Sequence, residues 1–200
     1  MHYRCNFCNN KAEVLRNKFY FCESCISISV NDYAQAEKRA MRSIKYFQTF
    51  LEYEFKNHIK VKFMPIEKLL EGQALGYFCY SEYQIDDTWI GYILIRDDLP
   101  RHAFDYTFAH EIVHVIIAEN KGEYIDLPKI EEGLADFIGR DYMLKSGRKD
   151  RMKRIEYASI RATNTDPIYG DGIRMVNALV SEHGLMKTFH DIISRNFKIV

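Results

Sequence analysis

The sequence lacks a long hydrophobic run, a dominant charge and any internal repeat. None of its apolar stretches approaches the roughly 20 residues that span a bilayer, and its first residues, MHYRCNFCNN, lack the apolar core of a secretory signal. Basic and acidic residues number 28 each, so net charge favours neither nucleic acids nor anionic membranes as partners. We therefore expect a globular cytoplasmic protein that binds neither.

The cysteine pattern also argues against an extracellular disulfide framework. Five cysteines are an odd number, and four of them form two C-x-x-C pairs near the start of the chain, Cys5 with Cys8 and Cys22 with Cys25. A redox C-x-x-C motif normally occurs once, at a helix start. Two pairs at this spacing are typical of thiolate hairpins that close on one tetrahedral zinc ion. We predict a structural zinc site in a small zinc-ribbon-like module, residues 1–30, whose folding depends mostly on the metal.

Residues 31–200 are predicted to form one α+β domain. A run without Gly or Pro, from Asn31 to about His58, has apolar residues at three- and four-residue steps and predicts one long amphipathic helix. Three stretches rich in β-branched and aromatic residues, VKFMP, LGYFCYSEYQ and TWIGYILIR, predict three strands of a small sheet. Further helices are predicted at about 102–120, 128–146, 149–162 and 171–195.

The sequence His-Glu-Ile-Val-His places His110 and His114 one turn apart on one helix face, where both imidazoles can bind one zinc ion. Zinc lowers the pKa of a bound water to near 7, and a neighbouring carboxylate can accept the water's proton. Glu111 is predicted to be this general base. The motif is short enough to arise by chance. The rest of the chain must therefore decide whether it forms a metal site.

The segment IEEGLADFIG, on the next predicted helix, offers a third ligand. A catalytic zinc site needs three protein ligands and an open position, and we predict Glu132 as the third. Asp136 lies one turn further along the same face, where it can accept the outer N–H of a ligating histidine. The alternative is that Glu131 and Glu132 are a solvated acidic helix start favoured by the helix dipole.

Three separated blocks of the sequence resemble a known family: YILIRDDLPRHAFDYTFAHEIVH, IEEGLADF and DPIYGDGIRMVNALVSEHGLMKTFHDI. They resemble, in the same order, the peptidase domain of the plant LIM-domain peptidases that limit organ growth and are activated by ubiquitylation. The resemblance covers about residues 90–195 and extends more broadly to gluzincins, whose third zinc ligand is a glutamate on a second helix. It implies a zincin-like fold with a helical C-terminal part. The plant proteins carry ubiquitin-binding segments and a full LIM domain, whereas this chain has one four-cysteine site, so activation by ubiquitin does not follow.

Tyr169 is a further candidate, within the segment Ile-Tyr-Gly-Asp-Gly. Its two glycines permit tight backbone geometry. Either this segment is only a helix-starting turn capped by Asp171, or it aims the Tyr169 phenol at the metal as a hydrogen-bond donor to the oxyanion.

Other chemically reactive residues have ordinary explanations. Lone histidines on helices are usually structural, and a basic run on a helix is usually a solvated face, although it can recognise an acidic partner. A lone cysteine in a strand pattern is most simply a small half-buried residue. These residues are His102, His183, His190, the basic run 148–154 and Cys79.

The sequence therefore predicts a zinc metallopeptidase with one catalytic and one structural zinc ion, acting on a protein or peptide substrate. The four-cysteine module is interpreted as a stabilising piece or as the site of a protein partner. The alternative is a non-catalytic zinc-ribbon and zincin module that regulates or binds another protein. The presence of Glu111 favours the enzyme, because a scaffold has no physical need for a general base beside the metal.

Overall fold

The computed structural model describes residues 3–16, 18–64, 75–80, 90–120, 128–147, 149–163 and 168–194. Across these ranges the chain has seven helices and five strands, and the strands form two small sheets. The α+β class is as predicted. No helix within the described ranges is long and apolar enough to cross a membrane.

The four-cysteine segment contains an antiparallel hairpin, which follows Cys5 and Cys8 and consists of β1 (Val14–Arg16) and β2 (Phe19–Phe21). The short helix α1 (Glu23–Ile26) follows directly. Cys22 lies between the hairpin and α1, and its pair partner Cys25 is buried inside α1. The second C-x-x-C pair is therefore held at a strand-to-helix turn.

Helix α2 (Tyr33–Phe50) begins where the sequence predicts, with Asp32 as its cap: the Asp32 carboxylate accepts the N–H of Gln35 at 2.9 Å. The prediction that it runs to about His58 is wrong. The chain leaves the helix through Glu52, whose φ is 49°, and the backbone N–H of Asn57 donates to Glu119 at 2.9 Å. The helix therefore ends before a left-handed residue that is neither glycine nor proline, and the segment after it is bound to α3.

The larger sheet consists of β3 (His58–Met64), β4 (Gly76–Tyr80) and β5 (Ile90–Arg96) in the order β3-β5-β4. β3 is parallel to β5, and β4 is antiparallel to it. All three strands lie where the sequence predicts them, and the other positions of the predicted stretches lie mostly outside the described residues. Alternate residues of β5 are buried, so one face of the sheet covers the core.

Helix α3 (Arg101–Glu119) carries the His-Glu-Ile-Val-His motif and is buried on nearly every side. The helix is packed between the sheet, α2 and α4 (Pro128–Lys145). A helix buried on nearly every side lies in the protein interior, and it places the polar residues of the motif inside the fold.

The C-terminal part contains α5 (Arg151–Ala162), α6 (Tyr169–His183) and α7 (Leu185–Ile193). The prediction of one helix over 171–195 is wrong, because Gly184 separates α6 from α7 with a φ of 80°. That left-handed conformation suits glycine and ends α6.

The helices α4 and α6 cross at two glycines, Gly133 and Gly172. A Cβ atom built on Gly133 would lie 2.3 Å from the Gly172 carbonyl, and one built on Gly172 would lie 2.0 Å from the Lys129 oxygen. The glycines of Glu-Glu-Gly and Tyr-Gly-Asp-Gly therefore serve one close helix contact. This contact brings the start of α6 beside Glu132.

We expect Gly172→Ala to destabilise the fold by about 1–3 kcal/mol, because the added methyl group meets rigid backbone of α4. The higher helix propensity of alanine recovers only part of this loss. Chemical denaturation would measure the free energy of unfolding. Gly147→Ala is the matched control, since the nearest atom to its Cβ is 3.6 Å away on a side chain, and unchanged stability of both variants would contradict the crossing.

The four-cysteine segment is packed against the helical part of the chain. Phe7 is buried and contacts Tyr157 of α5, with 5.9 Å between ring centroids. The imidazole Nε2–H of His102 in α3 donates to the Phe7 carbonyl at 2.9 Å, and Lys153 donates to the Ser24 carbonyl. Residues of 1–30 and of the rest of the chain therefore share one hydrophobic core.

Candidate metal centres

The four cysteines of the two C-x-x-C pairs meet in one buried cluster, with all their sulfur atoms within 4.8 Å of one another. Cys8 Sγ lies 3.4 Å from Cys22 Sγ and 3.5 Å from Cys25 Sγ. These separations are too long for disulfides and close to the roughly 3.8 Å edge of a tetrahedron with Zn–S bonds of about 2.3 Å. The cluster is therefore a closed group that could bind a metal ion.

The electrostatics of this cluster limit how many of its thiols can ionise without a cation. A hydrogen bond from Cys25 lowers the pKa of the Cys5 thiol to about 5, whereas burial raises that of Cys8 to about 12. Interaction with Cys5 raises the pKa of Cys25 well above its usual range. One thiolate thus suppresses ionisation of its neighbours, so four thiolates at this spacing need a positive ion among them.

The second group that could bind a metal ion consists of His110 and His114 on α3 and Glu132 on α4. The two imidazole Nε2 atoms are 3.2 Å apart. The Glu132 carboxylate oxygens lie 3.3 Å from His110 Nε2 and 3.6 Å from His114 Nε2. Zinc with Zn–N distances of 2.0–2.1 Å sets ligand atoms about 3.3 Å apart, so these donor atoms fit one tetrahedral ion.

This second group is more open than the four-cysteine cluster. About a fifth of each side chain of His114 and Glu132 is exposed, whereas the four cysteines are buried. Three donor side chains with an exposed side would leave room for a further ligand on a bound metal ion. Burial opposes the charge on Glu132, but the two histidines hold the pKa of its carboxyl far below the usual range.

Asp136 contacts the ring nitrogen of His110 that does not face Glu132. Its Oδ1 atom lies 3.2 Å from His110 Nδ1, on the side of the ring away from Glu132. Burial alone would lower the pKa of His110, but Asp136 and Glu132 raise it to about 10. A carboxylate at Nδ1 favours a proton there and leaves the Nε2 lone pair for a metal. Asp136 thus lies where the sequence predicts an outer partner.

Glu111 is buried beside this group, under the sheet. A backbone group of Phe78 in β4 hydrogen-bonds its carboxylate, and burial raises the pKa of Glu111 despite the two histidines. β4 approaches α3 closely here: a Cβ atom built on Gly76 would lie 2.6 Å from the Thr107 side chain and 3.3 Å from the Glu111 side chain. A carboxylate with a raised pKa next to the donor atoms suits proton transfer.

Tyr169 is the first residue of α6 and is half-buried. Burial, together with the charges of Glu132, Asp136 and Glu111, raises the pKa of its phenol to about 12. The phenol is therefore protonated at neutral pH and within electrostatic reach of the second group. Asp171 does not cap the helix as the turn hypothesis requires, since α6 begins before it and its carboxylate contacts Lys129 and Arg174.

Comparison with protein-family models, curated proteins and solved structures gives no match for this chain. The resemblance to the plant LIM-domain peptidases therefore rests on the residues alone.

The three other histidines considered from the sequence, and Cys79, lie outside both groups. His102 binds the Phe7 carbonyl, and its burial lowers its pKa to about 4. His183 lies beside Glu182, and His190 packs on Phe189. Cys79 is a half-buried residue of β4 paired with Tyr92.

The basic run 148–154 is only partly a solvated face. Arg154 is buried and donates to Asp105 of α3 at 2.9 Å, and Lys153 binds the Ser24 carbonyl. Arg151 and Met152 are exposed, and residue 148 lies outside the described part of the chain. At least two of its basic residues therefore hold the fold together.

Two residues not predicted from the sequence, Tyr106 and Arg161, both contact Asp136. The Tyr106 hydroxyl donates to Asp136 Oδ1, and Arg161 Nη2 lies 3.2 Å from the same oxygen. Tyr106 precedes His110 by one helical turn, which was a usable signal. Arg161 lies on a different helix, and no spacing pattern connects it with the motif.

Proposed function

We propose that this chain is a zinc-dependent peptidase of the zincin type, similar to the peptidase domain of the plant LIM-domain peptidases. The observation that carries the proposal is the convergence of His110 Nε2, His114 Nε2 and the Glu132 carboxylate beside a buried Glu111. A metal site without a catalytic role would not need a general base with a raised pKa at its side.

In this proposal each residue has a separate task. His110, His114 and Glu132 would hold zinc, which would supply an activated water and a Lewis acid for a carbonyl. Glu111 accepts the proton of the attacking water and passes it to the leaving amine. Asp136 keeps the His110 ring in the tautomer and orientation that ligation needs.

The position of β4 supports a peptide as the substrate. This strand is one of the two outer strands of the described sheet, and it lies directly against α3 at Glu111. An extended peptide can add to a sheet edge through main-chain hydrogen bonds, so a substrate bound along β4 would pass close to the catalytic group.

The four-cysteine cluster is proposed to hold a structural zinc ion. Its donors are soft thiolates in a closed, buried group, which select zinc over harder cations. Because Phe7 between Cys5 and Cys8 is part of the common core, this metal would stabilise the whole chain. A protein partner at this module remains compatible with that role.

Tyr169 is proposed as the donor to the oxyanion that forms during attack. We expect Tyr169→Phe to lower kcat by about 10²–10³-fold, the cost of one lost oxyanion donor, with zinc content and melting temperature nearly unchanged. Steady-state kinetics would measure the effect. Tyr33→Phe is the matched control, because Tyr33 is an exposed tyrosine at the start of α2. A loss of stability with unchanged kcat would mean that Tyr169 only packs against its neighbours.

Proteome-derived peptide profiling by mass spectrometry would test the proposed function. The wild-type chain loaded with zinc is expected to cleave peptides with a reproducible preference, and the chain stripped of the His/His/Glu metal is expected to cleave none. Fully loaded protein that cleaves neither peptides nor unfolded proteins would favour the non-catalytic binding module.

A further inference from the structure

Asp136, the outer partner of His110, is held by two other side chains besides the histidine. Its Oδ1 atom contacts His110 Nδ1, the Tyr106 hydroxyl and the Arg161 guanidinium. Asp136 is 1% exposed, and all three contacts are made by Oδ1, whereas the buried Oδ2 has no hydrogen-bond partner among the described residues. A buried carboxylate is stable only when it is paired and hydrogen-bonded.

Arg161 is itself anchored at three points of this arrangement. Its Nε atom donates to the Tyr106 hydroxyl at 3.0 Å, its Nη2 atom contacts Asp136 at 3.2 Å, and its guanidinium lies 5.0 Å from the centroid of the Tyr106 ring. Such a planar, stacked guanidinium has a fixed orientation that a flexible ammonium does not reproduce. The tyrosine hydroxyl links the two charges, because it accepts from Arg161 and donates to Asp136.

Helix α5 carries a second arginine, Arg154, which is buried and serves as an internal comparison for the part-buried Arg161. Arg154 lies about two helical turns before Arg161 and pairs with Asp105, one residue before Tyr106 on α3. It also donates to Ser146 and to the Met143 carbonyl, away from the donor atoms of the metal group. The two arginines thus fasten α5 to α3 and α4, but only Arg161 reaches the partner of a metal ligand.

We propose that Arg161 and Tyr106 are positioning residues for the metal site, which fix the Asp136 carboxylate so that the His110 ring presents Nε2 to the ion. The inference rests on the proposed metal site but not on peptide hydrolysis. When His110 binds a metal it is neutral, and Arg161 is then the permanent cation that accompanies the buried carboxylate. Without it, Asp136 loses both its counter-charge and the partner that sets its orientation.

The test compares metal affinity at the two sites of one chain. Titration against a competing chelator, followed by cobalt spectra, separates a four-thiolate site from a His/His/Glu site, because only the first gives strong sulfur-to-metal charge transfer. We expect Arg161→Met to weaken the His/His/Glu site by roughly 10–100-fold, the usual cost of losing an outer partner, and to leave the four-cysteine site unchanged. Tyr106→Phe, which keeps the ring and removes the hydroxyl, is expected to weaken the same site.

Two further variants separate positioning from general stability. Arg154→Met is expected to lower the melting temperature without a selective change in affinity at the His/His/Glu site, and Arg161→Lys is expected to restore part of the loss. Equal affinity of the wild type, Arg161→Met and Tyr106→Phe would overturn the inference, as would an equal selective loss in Arg154→Met. If Arg161→Met does not fold, Tyr106→Phe decides alone. A wild type that binds no metal at His110, His114 and Glu132 would instead contradict the proposed function.

Discussion

Glutamine in place of Glu111 is expected to lower the rate of peptide hydrolysis by about 10²–10⁴-fold while the protein keeps its metal. Glutamine has the shape of glutamate and can still receive the hydrogen bond from the backbone of Phe78, but its amide cannot take up a proton from water. Because Glu111 is buried and is not one of the converging donors, its loss should not alter metal content. Cleavage rates of a profiled peptide, with metal content measured on the same samples, would check this.

Glu119→Gln is the matched control, on the same helix but about two turns beyond His110. Glu119 accepts hydrogen bonds from Tyr53 and Asn57, so its replacement tests the effect of removing a partly buried carboxylate from α3 without touching the donor atoms. We expect a small loss of stability and an unchanged rate. If Glu111→Gln retained the wild-type rate, any observed cleavage would come from another group or a contaminant.

The features that sequence alone predicted are those encoded within one helix. His110 and His114 share a face because they are four residues apart, and Asp136 follows Glu132 by the same step. The metal group needed one further fact, the antiparallel return of α4 beside α3, which the short connection between the two helices made plausible. Each C-x-x-C pair could likewise be predicted from sequence, because its two cysteines lie in one turn formed by consecutive residues.

The features that sequence missed depend on contacts between distant segments. After α2 ends, the chain is bound to α3 through Asn57 and Glu119, a contact that no local pattern reveals. The glycines at 133 and 172 suggest flexible turns when each is considered alone, yet they form one tight helix crossing. Arg161 has the sequence context of an ordinary basic helix residue, and only the packing of α5 against α3 gives it a role at Asp136.

The two candidate metal sites are connected through aromatic packing. Phe7, between two cysteine ligands, contacts Tyr157, and Tyr157 contacts Tyr106 with 5.5 Å between ring centroids. Tyr106 in turn donates to Asp136. If this core unfolds cooperatively, an ordered His/His/Glu group would depend on an intact four-cysteine cluster.

Alanine in place of Glu132 is expected to reduce zinc affinity at the His/His/Glu group by more than the roughly 10–100-fold that follows loss of an outer partner. The physical reason is that Glu132 is the proposed third donor: its two oxygens lie 3.3 and 3.6 Å from the histidine nitrogens. Its removal leaves two imidazoles, and two ligands do not hold zinc in competition with a chelator. Zinc content at limiting free zinc, with the four-cysteine site as internal reference, would measure the loss.

Glu131→Ala decides between the two adjacent glutamates. Both lie in the first turns of α4 and carry the same charge, so a general effect of helix-start electrostatics would appear equally in both variants. Ligation predicts a different result, because Glu132 belongs to the converging donors and Glu131 does not. Near wild-type affinity in Glu131→Ala with a large loss in Glu132→Ala is the expected outcome. The reverse pattern would make Glu131 the third ligand, and equal affinity in all three proteins would show that neither glutamate binds the metal.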